Sequence, residues 1–241
     1  MAIKTWNGLA RASLKTFNGL ASASLKTING VDATASSIAI QNNWKNHSNS
    51  TAALSVTVAP TAGRALVIAV ATNAVSFTVT DNQSGTYSYT PTYAIFGSLL
   101  GYAYIGSVAS GVTSVTITPA TTTDVSAFVF EVSNISTYTT GEYATNFFVG
   151  VTTWSSGSFS TATANSIVFH AVSSGTGNGS TTFGSYTNGH ASYGANSTHP
   201  DGASSVAANV SYEIVSATGS QQSNTVSSAS GNGGSLIAAF R

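Results

Sequence analysis

The apolar and polar residues of this chain alternate with a period of two over most of its length, which is typical of β-strands. From residue 36 onward, short runs of Val, Thr, Ile, Tyr and Phe end at clusters of Gly, Asn and Ser. No stretch has the helical period of an amphipathic helix. The pattern predicts an all-β fold, an antiparallel β-sandwich or jelly roll, over residues 36–241. The predicted strands are 37–41, 53–58, 65–72, 75–80, 86–90, 101–108, 114–118, 125–132, 146–153, 166–172, 207–216, 224–228 and 234–240.

The first 35 residues carry a different pattern, in which one phrase of 11 residues occurs three times. Each copy contains an Asn-Gly pair, preceded by an aromatic residue or Ile and followed by Leu or Val. Asn-Gly is a strong signal for a two-residue hairpin turn, because both central positions of that turn need a positive φ. The repeats therefore predict a short β-meander, with Gly8, Gly19 and Gly30 in its turns.

The turns determine which residues of the predicted meander face each other. One face then carries apolar residues in cross-strand pairs, with basic residues between them and with Leu9 also beside Ile28. The pairs are Trp6 with Leu9, Phe17 with Leu20, and Ile28 with Val31, and the basic row is Lys4, Arg11 and Lys26. A meander of this size has too small a core to fold alone, so we expect another copy, another protein or the following domain to complete it. An 11-residue β-solenoid, strands intertwined between chains and a flexible leader are the alternative arrangements.

The composition narrows the classes of partner. Charged residues make up 6% of the chain and the net charge is zero, whereas an ordinary soluble domain has about 25% charged residues. A polar but uncharged surface gives little repulsion between copies and favours self-association. It argues against nucleic acid or anionic lipid as the main partner. The chain contains no cysteine and no apolar run long enough for a membrane-spanning helix, so we expect no membrane insertion.

Two carboxylates lie within predicted strands, Glu131 and Glu213. A glycosidase needs two carboxylates that face one cleft, and these two residues are the candidates for such a pair. The alternative, which we favour, is that each faces solvent or makes a structural hydrogen bond. No G-x-S-x-G motif singles out a serine nucleophile. We therefore predict no enzyme and no catalytic residue.

Histidine and aspartate occur together in the long connection between residues 173 and 206. His190, His199 and Asp201 are residue types that bind metal ions, but their spacing matches no known motif. Histidine and aspartate are also common turn formers in Gly-rich loops. The sequence therefore predicts no metal and no cofactor.

Sugar binding is a further possibility for the loops. Lectins of the β-sandwich class use exposed aromatic rings as stacking platforms beside Asn and Asp. Trp154, Tyr186, Tyr193 and Tyr138 lie in or near loops rich in Asn, Ser and Gly. We interpret Trp154, Tyr186 and Tyr193 as candidate glycan contacts. The alternative is that these rings pack on loop edges or at subunit contacts.

Several phrases of the larger region resemble a loosely defined family of bacterial and phage surface β-sandwich domains. Residues 55–70 are similar to its opening pair of strands, and residues 79–87 to a recurrent turn. Residues 130–133 and 235–241 resemble a later motif and the final strand of that family. The Asn-Gly repeats resemble leaders found on tail-associated and other structural proteins of tailed phages. The resemblance implies a virion or cell-surface structural module without known catalytic residues.

Together these patterns predict two domains, a docking or oligomerisation segment at 1–35 and a surface β-sandwich at 36–241. The expected function is that of a non-enzymatic structural protein of a tailed-phage virion, as a multi-copy decoration, surface or tail-associated protein. Its partners would be copies of itself and other virion or surface proteins, with host glycans as a further candidate. No signal-peptide core follows Met1, which we expect of a protein assembled before lysis. The alternatives are an extracellular filament or sheath subunit assembled by strand addition, and a carbohydrate-binding adhesion module.

Overall fold

The computed structural model describes residues 37–95, 98–135, 137–162, 164–174, 182–193 and 206–241, together with the backbone of six residue pairs between positions 5 and 32. Every regular element in this part of the chain is a β-strand, and all strand pairs are antiparallel. The prediction of an antiparallel all-β sandwich is confirmed. The strand orders do not establish the finer jelly-roll connectivity, which stays a prediction.

The chain divides into two compact units, Met1–Ser37 and Ile38–Arg241. In the first unit the described backbone forms six strands of two residues each, which pair as three hairpins. The strands are β1 (Thr5–Trp6), β2 (Leu9–Ala10), β3 (Thr16–Phe17), β4 (Leu20–Ala21), β5 (Thr27–Ile28) and β6 (Val31–Asp32).

The register of each hairpin confirms the predicted pairs, since Trp6 lies opposite Leu9, Phe17 opposite Leu20, and Ile28 opposite Val31. The hairpins form three separate two-stranded sheets. The predicted pairing of Leu9 beside Ile28 in one continuous meander is therefore absent from the described backbone. The two-residue strands are only the ends of the predicted nine-residue strands, whose middle residues lie outside the described part.

The second unit contains sixteen strands in the described residues. They are β7 (Ala39–Thr51), β8 (Leu54–Thr57), β9 (Ala65–Thr72), β10 (Phe77–Asp81), β11 (Ser88–Ile95), β12 (Ser98–Ile105), β13 (Ser114–Pro119), β14 (Thr123–Ser133), β15 (Tyr138–Ser155), β16 (Phe159–Thr161), β17 (Ser166–Ser174), β18 (Phe183–Tyr186), β19 (Ala191–Tyr193), β20 (Ala208–Val215), β21 (Gly219–Gln221) and β22 (Asn224–Phe240).

These strands build three stacked sheets and a cover. The outer sheet has the order β10-β13-β8, and the central sheet has the order β11-β12-β9-β14-β7. The third sheet has the order β15-β22-β17-β20-β19. Strand β18 pairs with β22, and β16 pairs with β21. Phe159 of β16 and Phe183 of β18 pack on the far face of the third sheet, so these short strands, with the turn before β19, form a cover over that face.

Strand β9 explains why the layers hold together. All eight of its residues are buried. Leu66, Ile68 and Val70 belong to a core shared with the outer sheet, while Val67 and Ala69 face a larger core shared with the third sheet. A strand buried on both faces is expected to be a continuous apolar run rather than an alternating one, which is the composition of this segment.

Most predicted strands are confirmed, and the predicted strand 65–72 has the bounds of β9. The prediction for 37–41 is too short, because β7 continues through polar residues that an edge strand tolerates on its exposed side. The predicted strands 224–228 and 234–240 are one strand, β22, which continues through the glycines between them. The short strands β16, β18, β19 and β21 were not predicted, since three or four residues carry no readable period.

Strand β22 passes unusually close to β17 at Gly233. A Cβ atom at this position would overlap the carbonyl oxygen of Ser173 and lie 2.8 Å from both Ser174 Cα and the ring of Trp154. Two of these neighbours are backbone atoms, which cannot rotate away. Glycine is therefore required here by close approach rather than by a turn.

We expect Gly233→Ala to lower the free energy of unfolding by about 2 kcal/mol, because the overpacked strands must separate. Urea denaturation followed by tryptophan fluorescence measures this change. Gly184→Ala is the matched control, since its Cβ would meet Val226 at an ordinary distance of 3.4 Å. An equal loss of stability in both variants would contradict the assignment.

Candidate functional site

A cluster of buried polar side chains lies between the third sheet and its cover. His170 of β17 and Ser211 of β20 are paired across the sheet and share its far face. Tyr186 of β18 and His190, just before β19, lie over them from the cover. The rings of His170 and Tyr186 are 5.5 Å apart, and those of His170 and His190 are 6.2 Å apart, in nearly perpendicular pairs.

His170 is completely buried, and neither of its ring nitrogens finds a hydrogen-bond partner among the described residues. Burial in this site, with His190 beside it, holds the pKa of His170 well below its ordinary value. The imidazole is therefore neutral. An unsatisfied buried polar group costs stability, so this histidine is not explained by packing alone.

His190 lies between the buried hydroxyl of Ser211 and the carboxylate of Glu213. Its Nδ1 atom lies 3.2 Å from Ser211 Oγ, and its Nε2 atom lies 3.7 Å from the carboxylate of Glu213. The first distance is a hydrogen bond, whereas the second exceeds hydrogen-bond length. Because Glu213 is too distant to offset the desolvation, burial lowers the pKa of His190 to about 4.

Glu213 forms part of the wall of an open cleft of about 490 Å³. Burial raises the pKa of its carboxyl group above the ordinary value. Asn188 and Gly189 form a turn in which both residues have positive φ. The turn lies close to this carboxylate, since a Cβ at Gly189 would be 2.8 Å from Glu213 Oε1. The Asn188 side chain donates a hydrogen bond to the Gln222 carbonyl, which fixes the turn against the opposite wall. The remaining lining consists of residues 214–222, five of which are Ser, Thr or Gln.

The candidate pair of Glu131 and Glu213 is wrong, because the two carboxylates face away from each other. Glu131 lies at a position of β14 that alternates with residues of the core beneath the third sheet, so it faces the other side of the central sheet. It is fully buried, 3.2 Å from Arg64 Nε, and accepts a hydrogen bond of 2.6 Å from Asn42. Glu131 is therefore a structural residue, as its favoured interpretation expected.

Only one of the three candidate metal ligands of the long connection lies in the described part of the chain. His190 is described, whereas His199 and Asp201 lie outside the described residues. Within the described ranges, no three His, Asp or Glu side chains converge as metal ligands would.

The aromatic candidates for glycan contact have different environments. Trp154 is fully buried against Phe148 and Phe183, and its indole N–H donates to Ser227, so it offers no open ring face. Tyr186 is half-buried with its ring against His170, and the side chain of Tyr193 is not described. Tyr138 belongs to the main core. Trp154 was misjudged because its ring packs against Phe148 and against Phe183 of β18, a tertiary contact that loop composition alone does not reveal.

The residues of the repeats can be located only through their backbone. Trp6, Leu9, Phe17, Leu20, Ile28 and Val31 lie at paired hairpin positions. Lys4, Arg11 and Lys26, with the turn residues Gly8, Gly19 and Gly30, lie outside the described residues. Their predicted docking role stays a prediction.

Sequence reasoning missed His170, Ser211 and Asn188 as site residues. His170 had a readable signal, since it is the one ionisable residue in the apolar strand β17. Ser211 and Asn188 had none, because Ser and Asn are abundant throughout the chain.

No family model, curated protein or solved structure matches this chain. The described part contains no helix with the length and apolarity needed to cross a membrane. The resemblance to phage and bacterial surface proteins therefore stays a prediction.

The histidine cluster predicts a loss of stability in acid. A histidine whose folded-state pKa lies below its ordinary value stabilises the fold fully above about pH 6.5, and that contribution is lost as the pH falls towards the folded-state pKa. For His190, the loss between pH 8 and pH 5 is about 2 kcal/mol, and His170 adds to it. Glu213 acts in the opposite sense, because its raised pKa favours proton uptake by the folded state.

Urea denaturation at pH 8 and pH 5 measures this effect. We expect His190→Gln to reduce the difference between the two free energies of unfolding by about 2 kcal/mol. His47→Gln is the control, because His47 is exposed. The same pH dependence in both variants would show that His190 is not responsible.

Proposed function

We propose that this chain is a non-enzymatic, multi-copy structural protein of a tailed-phage virion, as a decoration, surface or tail-associated component. The N-terminal repeats dock or oligomerise, and the β-sandwich forms the exposed module. The observation that carries the proposal is the threefold recurrence of one hairpin, with the same two-residue register each time, in a unit separate from the sandwich. Repetition of this kind suits repeated contacts better than a single active site.

The distribution of charge supports contacts between the repeats of one copy (residues 1–35) and the sandwich of another copy (residues 36–241). Residues 1–35 contain four basic residues and one acidic residue, a net charge of +3. Residues 36–241 contain three basic and six acidic residues, a net charge of −3. The zero net charge of the chain is thus the sum of two opposite units, which attract each other between copies.

The alternative is a subunit of an extracellular filament or sheath, which the repeated hairpins and the opposite charges of the two units support equally. In that setting the hairpin strands would add to a sheet of the neighbouring copy. A gene position among capsid, portal and tail genes favours the virion protein, and a position beside a secretion system favours the filament.

Replacing the three turn glycines tests the docking role. We expect Gly8→Val, Gly19→Val and Gly30→Val together to reduce the mass of the assembly, since a β-branched residue is strained at positive φ. Light scattering after gel filtration measures the mass, and circular dichroism checks that the sandwich remains folded.

The matched control places Asn at the same three positions, because Asn tolerates positive φ. It should assemble like the native chain. If the Val variant assembles equally well, the turns are not part of a docking device.

Carbohydrate binding is a second candidate function, supported by the cleft beside Glu213. The cleft combines one carboxylate with the Asn188 and Gln222 side chains and several hydroxyls. Such a lining offers both donors and acceptors to the hydroxyl groups of a sugar. Its volume lies within the range of about 300–1,000 Å³ that is usual for small-ligand sites.

A glycan array of bacterial surface oligosaccharides tests this second function. We expect Glu213→Gln to weaken any binding about tenfold or more, since a charged acceptor is lost. Val75→Ser, a change at an exposed position outside the cleft lining, should bind like the native chain. An array without a bound glycan, or unchanged binding by Glu213→Gln, would rule the cleft out as a sugar site.

A further inference from the structure

The carboxylates of the sandwich differ in whether a cation from another molecule can reach them. The described part of residues 36–241 contains five, which are Asp81, Asp124, Glu131, Glu142 and Glu213. The first four are at most 9% exposed. The side chain of Glu213 is 29% exposed and lines the open cleft.

Each of the four buried carboxylates has partners within the sandwich. Asp81 and Asp124 accept hydrogen bonds from neighbouring side chains, and Asp81 also accepts two from main-chain N–H groups of its own turn. Glu131 and Glu142 each form an ion pair with an arginine. These four carboxylates therefore serve the fold and are closed to a cation from another copy.

Glu213 has no comparable partner in the described part of the chain. Its one ion-pair contact there, His190 Nε2, is 3.7 Å away, which exceeds hydrogen-bond length. His190 is also neutral near pH 7, because burial lowers its pKa to about 4. Burial raises the pKa of Glu213, as expected of a carboxylate that loses water without gaining a cation.

No cation of the described sandwich is in contact with Glu213. Arg64 and Arg241 are the partners of Glu131 and Glu142, and Lys45 lies on β7 at the edge of the central sheet. The other four basic residues of the chain all belong to the repeats, and they are Lys4, Arg11, Lys15 and Lys26.

We propose that the cleft beside Glu213 is the binding site for a lysine from the repeats of another copy. Lys4, Lys15 and Lys26 occupy the same position in each 11-residue repeat, so any of the three is an equivalent ligand. The inference rests on the proposed assembly through the repeats, and it names the surface on which they dock. Opposite charges brought together in this way give a contact its specificity.

A lysine suits this cleft for two reasons. The Glu213 carboxylate is only partly exposed, and the flexible four-carbon stem of lysine lets its ammonium group reach inward. The ammonium group donates three hydrogen bonds, and the Ser, Thr and Gln residues among 214–222 offer acceptors beside the carboxylate. Pairing with the cation would also offset the desolvation of Glu213.

The lining favours a cationic side chain over a sugar. Glu213 is the one charged residue of the lining, so the cleft attracts cations. None of the lining residues, all of which are described, is aromatic. The cleft therefore lacks the stacking platform on which lectins of the β-sandwich class bind sugar rings.

Two charge-reversed variants of the full chain test the inference. One carries Glu213→Lys, and the other carries Lys4→Glu, Lys15→Glu and Lys26→Glu. In each variant alone the cleft and the repeats have the same sign of charge, so we expect the mass from light scattering to fall at least twofold. A mixture of the two should regain the native mass, because each cleft then meets repeats of opposite charge on the other variant.

The matched control carries Ala52→Lys and Val75→Lys, which change the net charge by the same amount as Glu213→Lys. Both positions are exposed and lie outside the cleft lining, so the control should keep the native mass. An equal fall in the control, a native mass for Glu213→Lys, or a mixture that does not regain the native mass would overturn the inference.

A neutral pair of variants covers the case in which Glu213→Lys fails to fold. We expect Glu213→Gln to raise the concentration needed for assembly about tenfold. Gln at the three lysine positions should have the same effect, and combining both sets should add little, because they remove one shared contact. Independent, additive effects would contradict the pairing of the lysines with Glu213.

The turn variant with Val at positions 8, 19 and 30 separates this inference from the proposed function. If that variant loses assembly while Glu213→Lys does not, the docking role of the repeats stands and the cleft is not their binding site. A native chain that is monomeric would refute both. If Glu213→Gln leaves the mass unchanged but weakens glycan binding, the cleft is a sugar site and the inference is overturned.

Discussion

The fold depends on covering both faces of the central sheet. With so few charged residues, the chain obtains its stability from apolar layers, and β9 is buried at every position because a sheet lies on each side of it. This arrangement leaves the far face of the third sheet to be covered by short strands. The polar cluster of His170, Tyr186, His190 and Ser211 lies in that last layer.

The central layers could be predicted from sequence because their signal is local. The run at β9 and the apolar positions of β14 and β17 are apparent without a structure, since a strand buried on both faces is apolar throughout. The extent of β7 could not be predicted, because a polar edge strand resembles a loop in composition. The predicted strands 224–228 and 234–240 form one strand, β22, in which Gly233 packs closely against β17. This is a tertiary contact, so the sequence alone did not reveal it.

The candidate site was far less predictable than the fold. His170 differs visibly from its neighbours, but Tyr186, His190 and Ser211 come from other strands, and only the pairing of β18, β19 and β20 brings them together. Likewise, the residues around Trp154 have the composition of a loop. Its burial comes from contacts with Phe148 and Phe183, which the sequence alone does not show. The residue types indicated which side chains are ionisable or polar, whereas the topology determined which of them come into contact.

The three hairpins at the N-terminus are each closed by their own backbone pairing. If the repeats dock as proposed above, a segment built in this way would be multivalent. Once one hairpin is bound, the others are held at high effective concentration near equivalent sites, so that avidity exceeds the affinity of any single contact. Gain or loss of one 11-residue unit would then adjust the residence time of the subunit in steps, without altering the sandwich that it carries.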